Sequence, residues 1–359
     1  MDMTDKYLEF LRFSIDENEG TAINTEGMDW EGLFEFAYEQ TLTGVIYHGI
    51  EKLRESDSRP NDELALKWFV MSEKIKKKNI TLNMVAAKLT ERLGKAGFKS
   101  CVLKGQGNAL MYPNPYMRNA GDIDIWLDGS KKDIIAFVRK KAPDAIARYH
   151  HIDYPIIKDV EIEIHYSPTF SNNIFNDIPM QKFVREHRHD QFDNWVELPE
   201  DTGQICRPTD SFNRIFQLSH IMRHYIREGI GIRHFMDYYF LLKRGFTEEE
   251  RIQDEKTIHR LGMKKMAGGV MYVLKEMFLM DEKYMLVKPN EHVGNKLIQE
   301  ILLAGNFAKH DERYQYNSNN RLKNYQNRVK HTLDNFRLFP SEALGVITFP
   351  MWRQFRSLK

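Results

Sequence analysis

The chain has 359 residues, 42% of them apolar and 29% charged, with a formal net charge of +1. That length allows two domains and a sizeable core, and so small a net charge gives no global attraction to nucleic acid or an anionic membrane. No apolar run approaches the roughly 18 residues of a membrane span. The polar N-terminus has no signal-peptide pattern, and two cysteines, Cys101 and Cys206, fit a reduced, cytoplasmic setting.

Residues 1–72 read as helical, with a loop at 56–61 (Ser-Asp-Ser-Arg-Pro-Asn). A long helix is expected over 62–93, because apolar residues at 82, 85, 86, 89 and 93 share one helical face. Gly94 and Gly97 end it. Residues 98–103 form a short strand that stops at Lys104-Gly105. A short helix at 108–111 and a Pro113/Pro115 loop follow, then a strand over 121–127. Ser130 and Asp133 resemble a capping box opening a helix through Ile134, Ile135 and Val138. Two further strands are expected at 145–151 and 154–166. In the second, Val160, Ile162 and Ile164 share one face, and Glu161, Glu163 and His165 the other. After Pro168 the signals are helical. Asp210 is expected to cap a helix carrying Phe212, Ile215, Phe216, Ser219, Met222 and Ile226, and a second helix buries Ile232, Phe235, Met236, Tyr239 and Phe240. Further helices are expected near 247–280 and 290–308. The stretch 311–359 holds nine Lys/Arg and four Asp/Glu, a local excess of +5, among aromatics such as Tyr314, Tyr316 and Trp352.

The segment Gly121-Asp122-Ile123-Asp124-Ile125 is the most informative. In a strand, Asp122 and Asp124 point the same way while the isoleucines enter a core. Aspartate is disfavoured in strands, and paired carboxylates repel unless a cation lies between them. The nearby turn Lys104-Gly105-Gln106-Gly107 lets backbone N–H groups approach a phosphate. Nucleotidyl transfer needs such parts, because carboxylates on one rigid face hold Mg²⁺ while donors and cations hold a triphosphate. Glu163, on the later strand, fits as the third carboxylate, with Glu161 on the same face as its competitor. Lys104, Gly105, Gln106, Gly107, Asn108 and Arg118 are the candidate triphosphate contacts, and Arg118 can alternatively neutralise the carboxylates.

A strand ending in a glycine turn, Asp-Ile-Asp on the next strand and a carboxylate on a later one resemble the polymerase-β-like nucleotidyltransferase superfamily. Leu103-Lys104-Gly105, Tyr112-Pro113, Arg118, Gly121-Asp122-Ile123-Asp124 and Glu163-Ile164-His165 resemble a bacterial family of uncharacterised nucleotidyltransferases, as does the later stretch around His220, His224, Arg233 and Asp237. The likeness covers roughly residues 75–245. It implies metal binding by Asp122 and Asp124, with Glu163 as third ligand and base. The superfamily's Gly-Gly or Gly-Ser turn is here Gly105-Gln106-Gly107, and its phosphate-contacting serine is missing.

The expected fold is α+β: a small mixed sheet with flanking helices plus N- and C-terminal helical regions. The expected division is an N-terminal helical region at 1–74, a nucleotidyltransferase core at 75–170, a helical domain forming the other cleft wall at 171–310, and a basic aromatic tail at 311–359. The expected activity is transfer of a nucleoside monophosphate from an NTP, ATP among them, to an unassigned hydroxyl, with Mg²⁺ or alternatively Mn²⁺ as cofactor. One alternative is a silent binding or regulatory relative. Another is a His-Asp phosphohydrolase, suggested by His189-Asp190 and His310-Asp311. His220 and His224, spaced i,i+4, face solvent or a cleft, and Arg233 with Asp237 form a helix ion pair or line that cleft.

Overall fold

The computed structural model describes residues 3–18, 21–55, 57–227, 229–304, 321–334, 336–346 and 348. Three helices open the chain: α1 (Met3–Ile15), α2 (Trp30–Glu39) and α3 (Thr43–Lys52). They pack on the first half of α4 (Asp62–Lys95), which buries Leu64 and Trp68 among them. Asn61 caps α4 by accepting from the Leu64 N–H at 2.9 Å. The helix ends before Gly97, whose φ of +89° suits glycine.

A four-stranded sheet follows, in the order β1 (Ser100–Val102), β2 (Ile123–Leu127), β4 (Ile162–His165), β3 (His151–Asp153). β2 and β4 run parallel, and both outer pairings are antiparallel. One face, carrying Ile123, Ile125, Ile162 and Ile164, packs on the second half of α4 and on α6 (Lys131–Arg139). Ser130 caps α6 as expected, accepting from the Asp133 N–H. The four-residue helix α5 (Gln106–Ala109) links β1 to β2.

All four expected strands are shorter, 145–151 and 154–166 the most. The stretch 145–151 contributes one isolated bridge, Ala147 to Ile152, and the first residue of β3. Only Ile162–His165 of 154–166 is strand. Pro155 lacks an N–H for the ladder, and Asp159 is left-handed at φ +62°. The helical reading after Pro168 is also incomplete. Helices α7 (Ile174–Glu186) and α8 (Arg188–Gln191) precede a hairpin of β5 (Trp195–Leu198) and β6 (Gly203–Cys206). The hairpin packs on α4, where Gly203 lies so close to Ala87 that a Cβ would meet it at 2.7 Å.

The remaining helices are α9 (Asp210–Arg227), α10 (Ile232–Lys243), α11 (Glu248–Arg260), α12 (Lys264–Phe278), α13 (Glu291–Ala304) and α14 (Arg321–Asp334). Asp210 does not cap α9. It lies within the first turn, paired with Arg207 at 3.0 Å and Arg244 at 2.5 Å, and the Thr209 hydroxyl accepts from the Phe212 N–H instead. Gly262, at φ +71°, separates α11 from α12. The second core joins α9, α10, α12 and α13 to the N-terminal helices. No helix among the described residues is long and apolar enough to cross a membrane. Tyr314, Tyr316, Trp352 and the His310-Asp311 doublet lie outside the described residues.

Candidate functional site

The sheet's second face carries the ionisable side chains. Because side chains alternate, Asp122, Asp124 and Trp126 share it. Trp126 packs on Phe192 and Phe212, with ring centroids 4.8 and 5.9 Å away, which fixes α9 against this face. Along α9 the stripe continues Phe212, Phe216, His220, His224 at four-residue spacing, so it changes from aromatic to imidazole as it passes the aspartates. A small cleft of about 90 Å³ opens there. Lys104, Gly105, Asn108, Arg118, Asp122 and Asp124 line one wall, and Gln217, His220, His224, Arg233, His234 and Asp237 the other.

The parallel register sets Glu163 directly beside Asp124. The Asp124 carboxylate is 3% exposed, with Lys104 Nζ 2.8 Å from Oδ2 and His165 Nε2 2.8 Å from Oδ1. Burial alone would raise its pKa, but Lys104 and the hydrogen-bonded His165 hold it well below the usual carboxylate range. Asp122 goes the other way: the charge of Asp124, then burial, raises its pKa. Glu163 Oε2 lies 3.2 Å from His151 Nδ1 and 3.4 Å from His165 Nε2. Burial opposes its ionisation, and the His165 hydrogen bond turns the net shift downward. Glu161 is exposed and precedes β4; its carbonyl accepts from the Ile123 N–H at 2.9 Å.

These donors fit a divalent cation. Asp124, Glu163 and His165 present ligand atoms within 4.8 Å of one another, and the repulsion that raises the Asp122 pKa is what a cation would relieve. His150, His151 and Asp153 extend the cluster, His151 lying opposite His165 and Asp153 opposite Glu163 on antiparallel β3. The sequence reading missed them because 145–151 read as a strand of its own, although the His150-His151-x-Asp153 run was visible.

The glycine turn is only partly a cleft element. Gly105 takes φ +50° and packs against the Asp122 carbonyl. Gln106 is 2% exposed and, with Gly107, does not line the cleft. A Cβ at Gly107 would meet Arg207 Cβ at 3.1 Å, so this glycine admits the segment leading into α9.

Arg118 is committed to Asp237. Its Nε and Nη2 donate to the two carboxylate oxygens at 2.8 and 2.7 Å, and Tyr112 and Asn108 donate at 2.6 and 3.2 Å. Burial would raise the Asp237 pKa; Arg118 outweighs it and brings it to about 2. The i,i+4 pair of Arg233 with Asp237 therefore does not form. Arg233 instead donates from Nη1 to the Asn119 carbonyl at 2.9 Å. His220 and His224 face the cleft together with His234, which the sequence reading did not single out. Their nitrogens do not converge as the His150, His151 and His165 set does. His189 and Asp190 are exposed on α8 and join no metal-ligating group among the described residues.

The model of a family described as "Uncharacterised nucleotidyltransferase" matches residues 26–279. No curated protein gives a significant match. A crystal structure of an antigenic nucleotidyltransferase-like protein from Paracoccidioides brasiliensis is 12% identical over 60% of this chain and 96% of its own, with a TM-score of 0.33, too low to carry an argument.

Proposed function

Because the chain belongs to this family of uncharacterised nucleotidyltransferases, we propose that it transfers a nucleoside monophosphate from an NTP to a hydroxyl acceptor and releases pyrophosphate. The observation that carries this reading is the register that sets Glu163 beside Asp124, with Asp122 two residues away on the same face. Asp122, Asp124 and Glu163 would hold Mg²⁺, or Mn²⁺ in its place. When bound, such an ion stabilises the charge that builds on the attacking and leaving oxygens. The chain's own groups do the rest. His151 and His165 hold Glu163 as a carboxylate, the form that accepts the acceptor's proton. Lys104, Gly105 and Asn108 lie beside the carboxylates, where the phosphates would run. Gln217 and His220 on α9 face them across the cleft, where the acceptor would enter.

The test is pyrophosphate release from ATP, CTP, GTP and UTP in Mg²⁺ and in Mn²⁺ across a broad set of hydroxyl acceptors. Release that disappears in Asp122→Ala is expected; no binding of any triphosphate sinks the reading. Lys104 and His165 between them occupy both oxygens of Asp124, which favours a second reading, a silent nucleotide-binding relative. Nucleotide binding without release would decide for it.

Glu163 and Glu161 are expected to behave differently. Glu163→Gln should weaken Mn²⁺ binding by at least about tenfold, the loss of one carboxylate from a hard-cation shell. Glu161→Gln should stay within about twofold, as for an exposed surface substitution. Calorimetric titration with Mn²⁺ measures both, and equal losses would contradict the assignment.

A further inference from the structure

The cations of the cleft are unequally matched. Lys104 pairs with Asp124 at 2.8 Å and Arg118 with Asp237 at 2.7 Å. Arg233, on the first turn of α10, is partly buried and has no carboxylate within ion-pairing distance among the described residues. Its Nη1 meets the Asn119 carbonyl, while Nε has no hydrogen-bond partner among those residues. One carbonyl dipole satisfies an N–H but does not put a carboxylate in contact with the charge. Burial and the adjacent Arg118 push the Arg233 pKa down, outweighing Asp237 and Asp122, which pull it up without touching it. The imidazoles beside it resist adding a further positive charge: burial, then Lys104, lowers the His220 pKa, and burial, then Arg233 itself, lowers that of His234.

A guanidinium held facing a cleft without an anion of its own suits an anionic ligand, and its planar fork matches phosphate oxygens. We propose that Arg233 anchors the polyphosphate end of the ligand, forming a subsite on α10 across the cleft from the carboxylates. That the polyphosphate belongs to a nucleotide rests on the transfer reading above; the charge argument does not. The alternative is a structural role, in which Arg233 only ties the Asn119 loop that leads into β2.

The two roles separate by titrating the full chain calorimetrically with inorganic tripolyphosphate and, as control, a nucleoside monophosphate, in Mg²⁺. Wild type should bind tripolyphosphate, and Arg233→Gln should weaken it by at least about 30-fold, within the range of a charge-assisted contact. The monophosphate should be unaffected, and Arg233→Lys should recover part of the loss. No binding by wild type, or affinity within twofold in Arg233→Gln, overturns the proposal. If Arg233→Gln does not fold, phenylglyoxal modification of wild type at Arg233, mapped by mass spectrometry, should be blocked by tripolyphosphate and not by the monophosphate. Modification indifferent to tripolyphosphate also overturns it. Tripolyphosphate binding that depends on Arg233, without pyrophosphate release from any triphosphate, would keep the subsite and sink the transfer reading. Release with a KM indifferent to Arg233→Gln would do the reverse.

Discussion

Asp124→Asn is expected to slow pyrophosphate release by about 10³-fold, roughly 4 kcal/mol of transition-state stabilisation, while the fold persists. Asparagine keeps the size and one acceptor oxygen of the buried side chain, so His165 retains its hydrogen-bond partner. Lys104 loses its nearest countercharge but not its only one, because Asp122 also acts on it. The Asp122 pKa should fall at the same time, since the Asp124 charge is the largest cause of its rise. The variant therefore loses a ligand charge without leaving an isolated buried cation. Release rates at saturating Mg²⁺, with denaturation midpoints to verify folding, measure the effect. Activity within tenfold of wild type would remove Asp124 from the reaction.

Asp237→Ala should cost about 3–5 kcal/mol of stability, the usual penalty for stripping one partner from a buried ion pair. The Arg118 guanidinium would lose both of its strong contacts, and Tyr112 and Asn108 would each lose an acceptor. The denaturant midpoint should fall, and a loss under 1 kcal/mol would contradict the argument. Replacing both partners, as in Arg118→Met with Asp237→Leu, should recover most of it, because no charge is then stranded. The pH dependence has a fixed sign. The Asp237 pKa is lowered from 3.8 to about 2 on folding, so its stabilisation is complete above about pH 4 and is lost as pH falls through about 2.

Much of the carboxylate end of the site was legible because it depends on period alone. Alternation puts Asp122 with Asp124 and Glu163 with His165, and the sheet needs only parallel pairing to bring the two sets together. What was not legible depends on distant partners. Arg118 meets Asp237 across 119 residues, whereas local spacing offered Arg233. Arg233 sits on the first turn of its helix and reaches out to the Asn119 loop rather than one turn along. The β5–β6 hairpin escaped notice because its strands are four residues long and half of β5 is exposed, so no clean alternation marks them. Gln106 and Gly107 looked like phosphate contacts because glycine signals close approach without saying what approaches; for Gly107 it is Arg207.

Helix α4 has a mechanical consequence. Its 34 residues make a rod of about 51 Å at 1.5 Å per residue. One end is embedded with Trp68 in the core that also holds α9 and α10, and the other carries Leu82, Ala86, Leu89 and Leu93 into the core beneath the carboxylate strands. The two sides of the cleft are thus fastened to one unbroken strut. Gaping of the cleft must bend that strut or be taken up by loops at the cleft, such as those of Gly105 and Asn119, which makes small local adjustments the least costly way for the cleft to change shape.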